Sequence, residues 1–288
     1  MPADNQMGDI MIKTTSIFAT LLASAAAAFF ASATAQAGTI VSGVLQVGSD
    51  QTYPPYDYID GDHKPAGFDV EFMTAIAKAA GLKVNFLDTR FENLILGVGG
   101  DKFDVIASTL YVKPARAQQI DFIPYMKTGV SIAVSANAAK KPVNPEDLCG
   151  LKVSSIKSAA WIANLQEVSK TTCAAKGAGP IDVREFPTSP EATQAVLSGG
   201  VNAQMEDSAV LKQAVTATSG KIVISSTSTL YPVVVGLGVK KGNADVEKTI
   251  VDAFNKIKAN GEYDALLVKY NVSVATEAEF KQAVSGAN

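Results

Sequence analysis

The chain has 288 residues, 47% of them hydrophobic, with 25 basic and 28 acidic side chains, one histidine and two cysteines. A balance this close to neutral excludes the dense basic patch that a nucleic-acid partner needs. With two cysteines and His63 alone, no structural zinc site, Ser-His-Asp set or Cys-His set can be assembled, and no Gly-rich phosphate loop follows a strand, so neither metal nor cofactor is expected.

At the amino end, Lys13 precedes an apolar and small-residue run from Ile17 to Ala33 that closes on Ala35, Gln36 and Ala37. That is the layout of a secretory signal peptide, with cleavage expected after Ala37. Asp4 and Asp9 sit poorly in a basic start and suit initiation at Met11. No cysteine stands directly after the cleavage point, so no lipid anchor is expected. Removing residues 1–37 leaves 24 basic and 26 acidic side chains on a chain long enough for two lobes of about 100 residues or more. In an oxidising compartment Cys149 and Cys173, 24 positions apart, are expected to pair and to contribute about 3 kcal/mol.

From Val44 onward, short β-branched runs alternate with amphipathic stretches, the pattern of an α/β protein. "VLQVGSD" reads as a strand entering a loop at Asp50. "GFDVEFMTAIAKAAGL" reads as a helix with Phe68, Phe72, Ile76 and Leu82 on one face, stopped at Gly81. "KVNFLDT" is the next strand, "FENLILGVGG" a short helix, and "FDVIAS" a strand that delivers Ser108 and Thr109 to a carboxyl end, where open α/β sheets bind ligands. Arg116 follows a few residues later. After "VSIAVSA" the scheme repeats: strand "LKVSSIK", helix "SAAWIANLQEVSKTTCAAKG", strand "IDVREF", helix "SPEATQAVLSGG", strand "VNAQMED" ending at Asp207. "VVVGLGVKK" is a further strand, and two terminal helices span "NADVEKTIVDAFNKIKANGEYDALLVKY", the first with Val246, Ile250, Phe254 and Ile257 inward.

A free amino acid carries a carboxylate and an ammonium on one carbon, so its receptor needs a forked cation, hydrogen-bond donors and a fixed anion. Arg116 has the fork for a carboxylate. The helix start near Ser158 has free backbone N–H groups and favours negative charge. Asp207 can supply the anion for an ammonium. Closure of one half over the other would then follow from differential contact with the ligand.

Six segments, in the right order over nearly all of residues 40–272, resemble the polar amino-acid-binding proteins of ABC importers, the bacterial extracellular solute-binding proteins of family 3. "VGSDQTYPPYDYID" is similar to the first ligand loop, "GFDVEFMTAIAKAAGL" to the "GFD" helix, and "FDVIASTLYVKPARAQQIDFIPY" to the arginine motif. "DLCGLKVSSIKSAAW" is similar to the start of the second lobe, "MEDSAV" to the ammonium-binding segment and "NGEYDALLVKY" to the C-terminal helix. The resemblance implies a type II periplasmic-binding-protein fold, with two α/β lobes joined by a two-stranded hinge. Lobe 1 is expected over 38–128 and 233–288, lobe 2 over 129–232. It also implies a periplasmic monomer that hands a small-molecule ligand to the membrane permease of an ABC importer.

Residue by residue, the resemblance implies that Tyr53 packs against the ligand, Thr109 lies near the carboxylate, Arg116 binds it, and Asp207 binds the α-ammonium. Asp50 would meet a cationic side chain and the Ala160 backbone would complete the carboxylate cradle. Ser108, Tyr111, Ser158, Phe91 and Trp161 complete the candidate set. Two departures stand out: Tyr111 occupies a place usually held by Ser or Thr, and the second-lobe loop reads Ser158, Ala159, Ala160. Both make a larger or N-substituted ligand credible.

Other roles stay open. Asp207 can cap the following helix, Asp50 can stabilise a turn, and Tyr53, Phe91 and Trp161 can be packing residues. His63 reads as a hairpin tip. Glu206 is expected to point away from the ligand because strand neighbours alternate faces. Aromatic residues with Asp50 lean the reading toward a basic or aromatic ligand side chain. The rival is an enzyme resembling cyclohexadienyl dehydratase, in which Glu206 or Glu92 would be the acid.

Overall fold

The structure, a computed structural model, describes residues 38–286, so the expected signal peptide and its cleavage point after Ala37 lie outside it. β1 (Val44–Ser49) is followed by a small antiparallel sheet of β2 (Thr52–Tyr53), β3 (Asp57–Ile59) and β4 (Pro65–Ala66), with His63 at its exposed tip in a left-handed conformation. α1 (Phe68–Ala80) buries Phe68, Phe72 and Ile76, as the periodicity predicts, and ends where Gly81 takes φ 74° and donates its N–H to Ala77 and Lys78. β5 (Lys83–Asp88), a 3-10 turn (Phe91–Asn93), α2 (Leu94–Gly99) and β6 (Val105–Ile106) follow. The "FDVIAS" segment contributes only two ladder residues, because the chain turns into a left-handed position at Thr109, φ 47°. α3 (Pro114–Ala117), begun by Pro114, carries Arg116.

β7 (Ile120–Ser135) is the longest strand, and a 3-10 turn (Pro145–Leu148) leads from it to β8 (Lys152–Ile156). α4 (Trp161–Val168) is shorter than predicted and runs into a π-helical turn, Ser169–Cys173. Then come β9 (Asp182–Phe186), α5 (Ser189–Leu197), β10 (Ala203–Asp207), α6 (Ser208–Ala217), β11 (Ile222–Ile224), β12 (Leu230–Lys240), α7 (Ala244–Ala259), α8 (Glu262–Tyr270) and α9 (Glu277–Ser285). α9 has no fully buried residue, which explains why apolar periodicity does not announce it; its Thr276/Glu279 capping box is the signal available in sequence.

Strand order explains the architecture. β5, β1 and β6 are parallel neighbours, as are β10, β8 and β9, and each trio belongs to one α/β lobe. Between them lie β12 and β7, antiparallel to each other. β12 pairs along the first part of β7, whereas β10 and β11 pair along its last part, so one continuous strand serves both trios. The β7–β12 register breaks between Leu230 and Val233, opposite Gly129. A Cβ at Gly129 would lie 2.4 Å from Thr229 Cγ2 and 2.8 Å from the Leu230 carbonyl, so only glycine lets the two strands approach so closely there.

An aromatic cluster anchors α1 to the C-terminal helices. Phe72 stacks on Tyr125 with centroids 5.1 Å apart and meets Phe254 edge-on at 5.0 Å. Val246, Ile250, Phe254 and Ile257 are buried on α7, the predicted face. In the second lobe Cys149, just before β8, is disulfide-bonded to Cys173 at the end of the π turn, with Cα atoms 5.4 Å apart, which staples that helix to the start of the strand.

Candidate ligand site between the lobes

Arg116 sits where α3 approaches the loop before α4. Its Nη1 donates to the Tyr111 carbonyl at 3.0 Å and its Nη2 to the Ser158 carbonyl at 2.9 Å, so the guanidinium bridges the two lobes. The Phe91 ring lies under it at 5.4 Å, a cation–π contact that fixes its plane. Burial pushes its pKa down to about 10, which leaves it charged at neutral pH. A planar cation with further N–H groups available is the arrangement that takes a carboxylate.

Asp207 ends β10 and caps α6, accepting from Ala209 N at 2.9 Å and Val210 N at 3.4 Å. Its side chain also accepts from three hydroxyls across the cleft: Tyr111 at 2.9 Å, Thr128 at 2.7 Å and Tyr56 at 3.2 Å. Capping and a cleft position therefore coexist. Burial raises its pKa, and the hydroxyl and backbone donors oppose that rise. Tyr111 spends its OH on Asp207 and its carbonyl on Arg116, and its ring meets Trp161 at 5.6 Å.

Glu206 precedes Asp207 and, as strand alternation predicts, shares its face with Gln204, whose side chain meets Thr193 and Ser189 of α5. That face is nonetheless inside the cleft, because Tyr53 from the other lobe covers it. Tyr53 donates to Glu206 Oε1 at 2.6 Å, and the Asp207 N–H donates to the same oxygen at 3.1 Å. Oε2 is buried with no hydrogen-bond partner. Burial raises Glu206 to about 7, against the lowering influence of Tyr53, the Asp207 N–H and the neighbouring Ser189 hydroxyl.

Asp50 is engaged differently. Arg90 Nη1 lies 2.9 Å from Oδ1, which also accepts from Thr52 Oγ1 at 2.7 Å, and Oδ2 accepts from Phe91 N at 2.9 Å. Ser108 accepts from Asp50 N at 3.0 Å. Thr109 directs both its N–H (2.7 Å) and its hydroxyl (3.2 Å) at Asp69 Oδ2, which thereby holds the left-handed turn. Asp69 Oδ1 accepts from Tyr125 at 2.6 Å. Beside it Asp57 is buried against Asp69, and burial, with the neighbouring Asp69 carboxyl second, raises its pKa well above its ordinary value.

On the second lobe Ser158 has φ 62°, a costly conformation for a non-glycine residue, and its N–H donates to Glu185 at 3.0 Å. That turn aims the Ser158 carbonyl at Arg116. Ala160 is half-buried at the start of α4, whose first N–H groups lack intrahelical partners. Trp161 is buried and donates from Nε1 to Ser155 at 2.9 Å.

Thus Tyr53, Phe91, Tyr111, Arg116, Ser158, Trp161 and Asp207 converge on the contact between the lobes, while Asp50, Ser108 and Thr109 build its first-lobe wall through internal bonds. Tyr56, Thr128, Arg90 and Asp69 enter the site without being singled out from sequence. For Tyr56 the repeated aromatic in "TYPPY" is the one local signal; Thr128 and Arg90 carry none, since their roles depend on pairing across the fold. Among the described residues no group of three metal-ligating side chains is gathered, and no helix is long and apolar enough to cross a membrane.

Two α/β lobes bridged by long antiparallel strands, with a forked cation and buried carboxylates at their contact, define a type II periplasmic-binding-protein fold. Residues 45–273 match the family model of the bacterial extracellular solute-binding proteins, family 3, and the chain belongs to that family. The arginine-binding protein ArgT of Corynebacterium glutamicum is 24% identical over 231 residues, covering 80% of this chain and 75% of the relative. The L-cystine-binding protein TcyJ of Escherichia coli K12 is 25% identical over 229 residues, covering 79% and 82%. Among solved structures, an ancestral arginine-binding protein bound to arginine superposes with a TM-score of 0.72 at 30% identity, covering 79% of this chain and 98% of the other. These relatives are binding proteins, and their named ligands differ.

Proposed function

We propose that the protein captures an amino acid, or an amino-acid derivative, between its lobes and delivers it to the membrane permease of an ABC importer. The observation that carries this is Arg116 bridging the lobes at one end of a contact whose other end is the Glu206–Asp207 pair. The ligand carboxylate lies on Arg116 and the Ala160 backbone, its ammonium joins the hydroxyl donors around Asp207, and Tyr53, Phe91, Tyr111 and Trp161 wall its side chain. Ser108, Thr109 and the Arg90-paired Asp50 support that wall, and Ser158 sets the second-lobe loop. The lobes divide as 38–128 with 233–288, and 129–232. The protein acts as a periplasmic monomer after cleavage behind Ala37, with no nucleic-acid partner and no catalysis of its own.

A thermal-shift screen of the purified protein against amino acids, opines and polyamines tests this reading. A ligand at about a thousand times its Kd stabilises by roughly 4 kcal/mol, several degrees in Tm. Arg116→Ala is expected to remove at least about 3 kcal/mol of affinity for the hit, since a desolvated carboxylate loses its partner. Unchanged affinity sinks the assignment. Silence across the panel together with turnover of arogenate or prephenate would replace it with the dehydratase reading.

A further inference from the structure

The two neighbouring carboxylates of the cleft are not equivalent. Asp207 has three hydroxyl and two backbone donors on its two oxygens. Glu206 has both of its donors on Oε1 and none on Oε2, although the residue is 0% exposed. Neither acid has a Lys, Arg or His among its hydrogen-bond partners. An unpartnered buried carboxylate oxygen is costly unless a charge or donor arrives to satisfy it. Asp50, the acid that the sequence offers for a cationic side chain, has already taken Arg90, Thr52 and the Phe91 N–H.

Geometry separates the two carboxylates along the cleft. Tyr111 links Arg116 to Asp207 through its carbonyl and hydroxyl, so those three mark the stretch of the cleft that holds the carboxylate and ammonium of one carbon. The Tyr53–Glu206 pair lies on the other face of β10. Thr52 and Pro54, on either side of Tyr53, and Ser189, Pro190 and Thr193 of α5, together with residues of α6, line a cavity of about 280 Å³ beside that pair, although Glu206 itself does not line it. We propose that Glu206 Oε2 is the acceptor for a second positive charge on the ligand, so that the site selects amino acids of net charge +1, the dibasic ones. This rests on the amino-acid reading above and deepens it. Two buried acids against the one Arg116 fork leave one negative charge uncompensated by a neutral zwitterion and matched by a dibasic ligand. Glu206 is faced by Asp207 from its own strand, by Tyr53 and Tyr111 from the first lobe and by Ser189 from α5. Arrival of the cation ionises any protonated Glu206, and that proton leaves to solvent.

The test is calorimetric binding of L-arginine against L-citrulline, and of L-lysine against L-norleucine, to the wild-type protein and to Glu206→Gln at neutral pH. Wild type is expected to prefer at least one cationic member over its neutral partner by about tenfold or more. In Glu206→Gln that ratio falls to within about threefold, the loss falling mainly on the cationic member. A ratio that survives the substitution, or a wild type indifferent to charge, overturns the proposal and leaves amino-acid capture standing. Equal loss of both members overturns it too, by assigning Glu206 to the α-ammonium. Failure of every amino acid to bind removes both readings together. Should Glu206→Gln fail to fold, Glu206→Asp withdraws the carboxylate by one methylene and must weaken the cationic member more than the neutral one.

Discussion

Asp50 and Glu206 are both acids at the cleft, 1% and 0% exposed, one on each lobe, and they solve the problem of burial in opposite ways. Asp50 is neutralised in place by Arg90 and fills its remaining acceptor positions with Thr52 and a backbone N–H, so both of its oxygens are engaged within one lobe. Glu206 meets Tyr53 from the opposite lobe through one oxygen and leaves the other bare. Burial raises the pKa of both, but only Asp50 has a cation to pull it back. The difference teaches that depth alone does not mark a binding group. What marks it is an acceptor whose partner is missing and whose neighbours come from the other lobe.

The sharpest way to break the comparison is Arg90→Met. It leaves the Asp50 carboxylate buried without its cation, and stability of the unliganded protein is expected to fall by about 3 kcal/mol in urea denaturation, with ligand affinity little changed. A fall in affinity instead would put Asp50 among the ligand contacts.

Next in size is the pH dependence attached to Glu206. Its carboxyl is raised from 4.5 to about 7 in the folded state, so the folded protein holds the proton more tightly than the unfolded chain. The associated stability is fully present below the unfolded value and is lost as pH rises through about 7. Between about pH 5 and pH 8 the loss is roughly 2 kcal/mol for this group. Asp57, also raised, adds a dependence of the same sign, so the measurement is the difference between wild type and Glu206→Gln across that range. Parallel curves for the two proteins would show that Glu206 titrates normally.

The smallest effect on stability belongs to Asp207→Asn. The amide oxygen still caps α6, and the hydroxyls of Tyr111 and Thr128 can reverse to accept from the amide, so the loss is about 1 kcal/mol. Its consequence for binding is selective: ligands with a free α-ammonium weaken more than their deaminated analogues. Equal weakening of both would make Asp207 a structural cap alone.

How much of this is legible in the chain differs between elements. α1 and α7 are readable because their apolar residues recur at the helical period and their ends carry glycine or asparagine caps, signals that lie within a dozen neighbouring residues. Arg116 and Asp207 are readable as candidates because each ends or follows a strand, where α/β sheets present their edges. β6 and α4 come out shorter than their patterns suggest, because a left-handed Thr109 and a π turn ending at the disulfide interrupt them, and apolar periodicity encodes neither. The alternation rule turns Glu206 to the face opposite Asp207, but only the covering Tyr53, 153 positions away, makes that face part of the cleft.

By itself, then, the sequence determined the α/β class, the two repeated halves, the pairing of Cys149 with Cys173 and the forked cation, all of which follow from local pattern and residue type. Tertiary structure alone decided which carboxylates are satisfied. That depends on whether Arg90 reaches Asp50 and whether anything reaches Glu206 Oε2, and such distances are set by β7 and β12 bringing two lobes together rather than by any spacing along the chain.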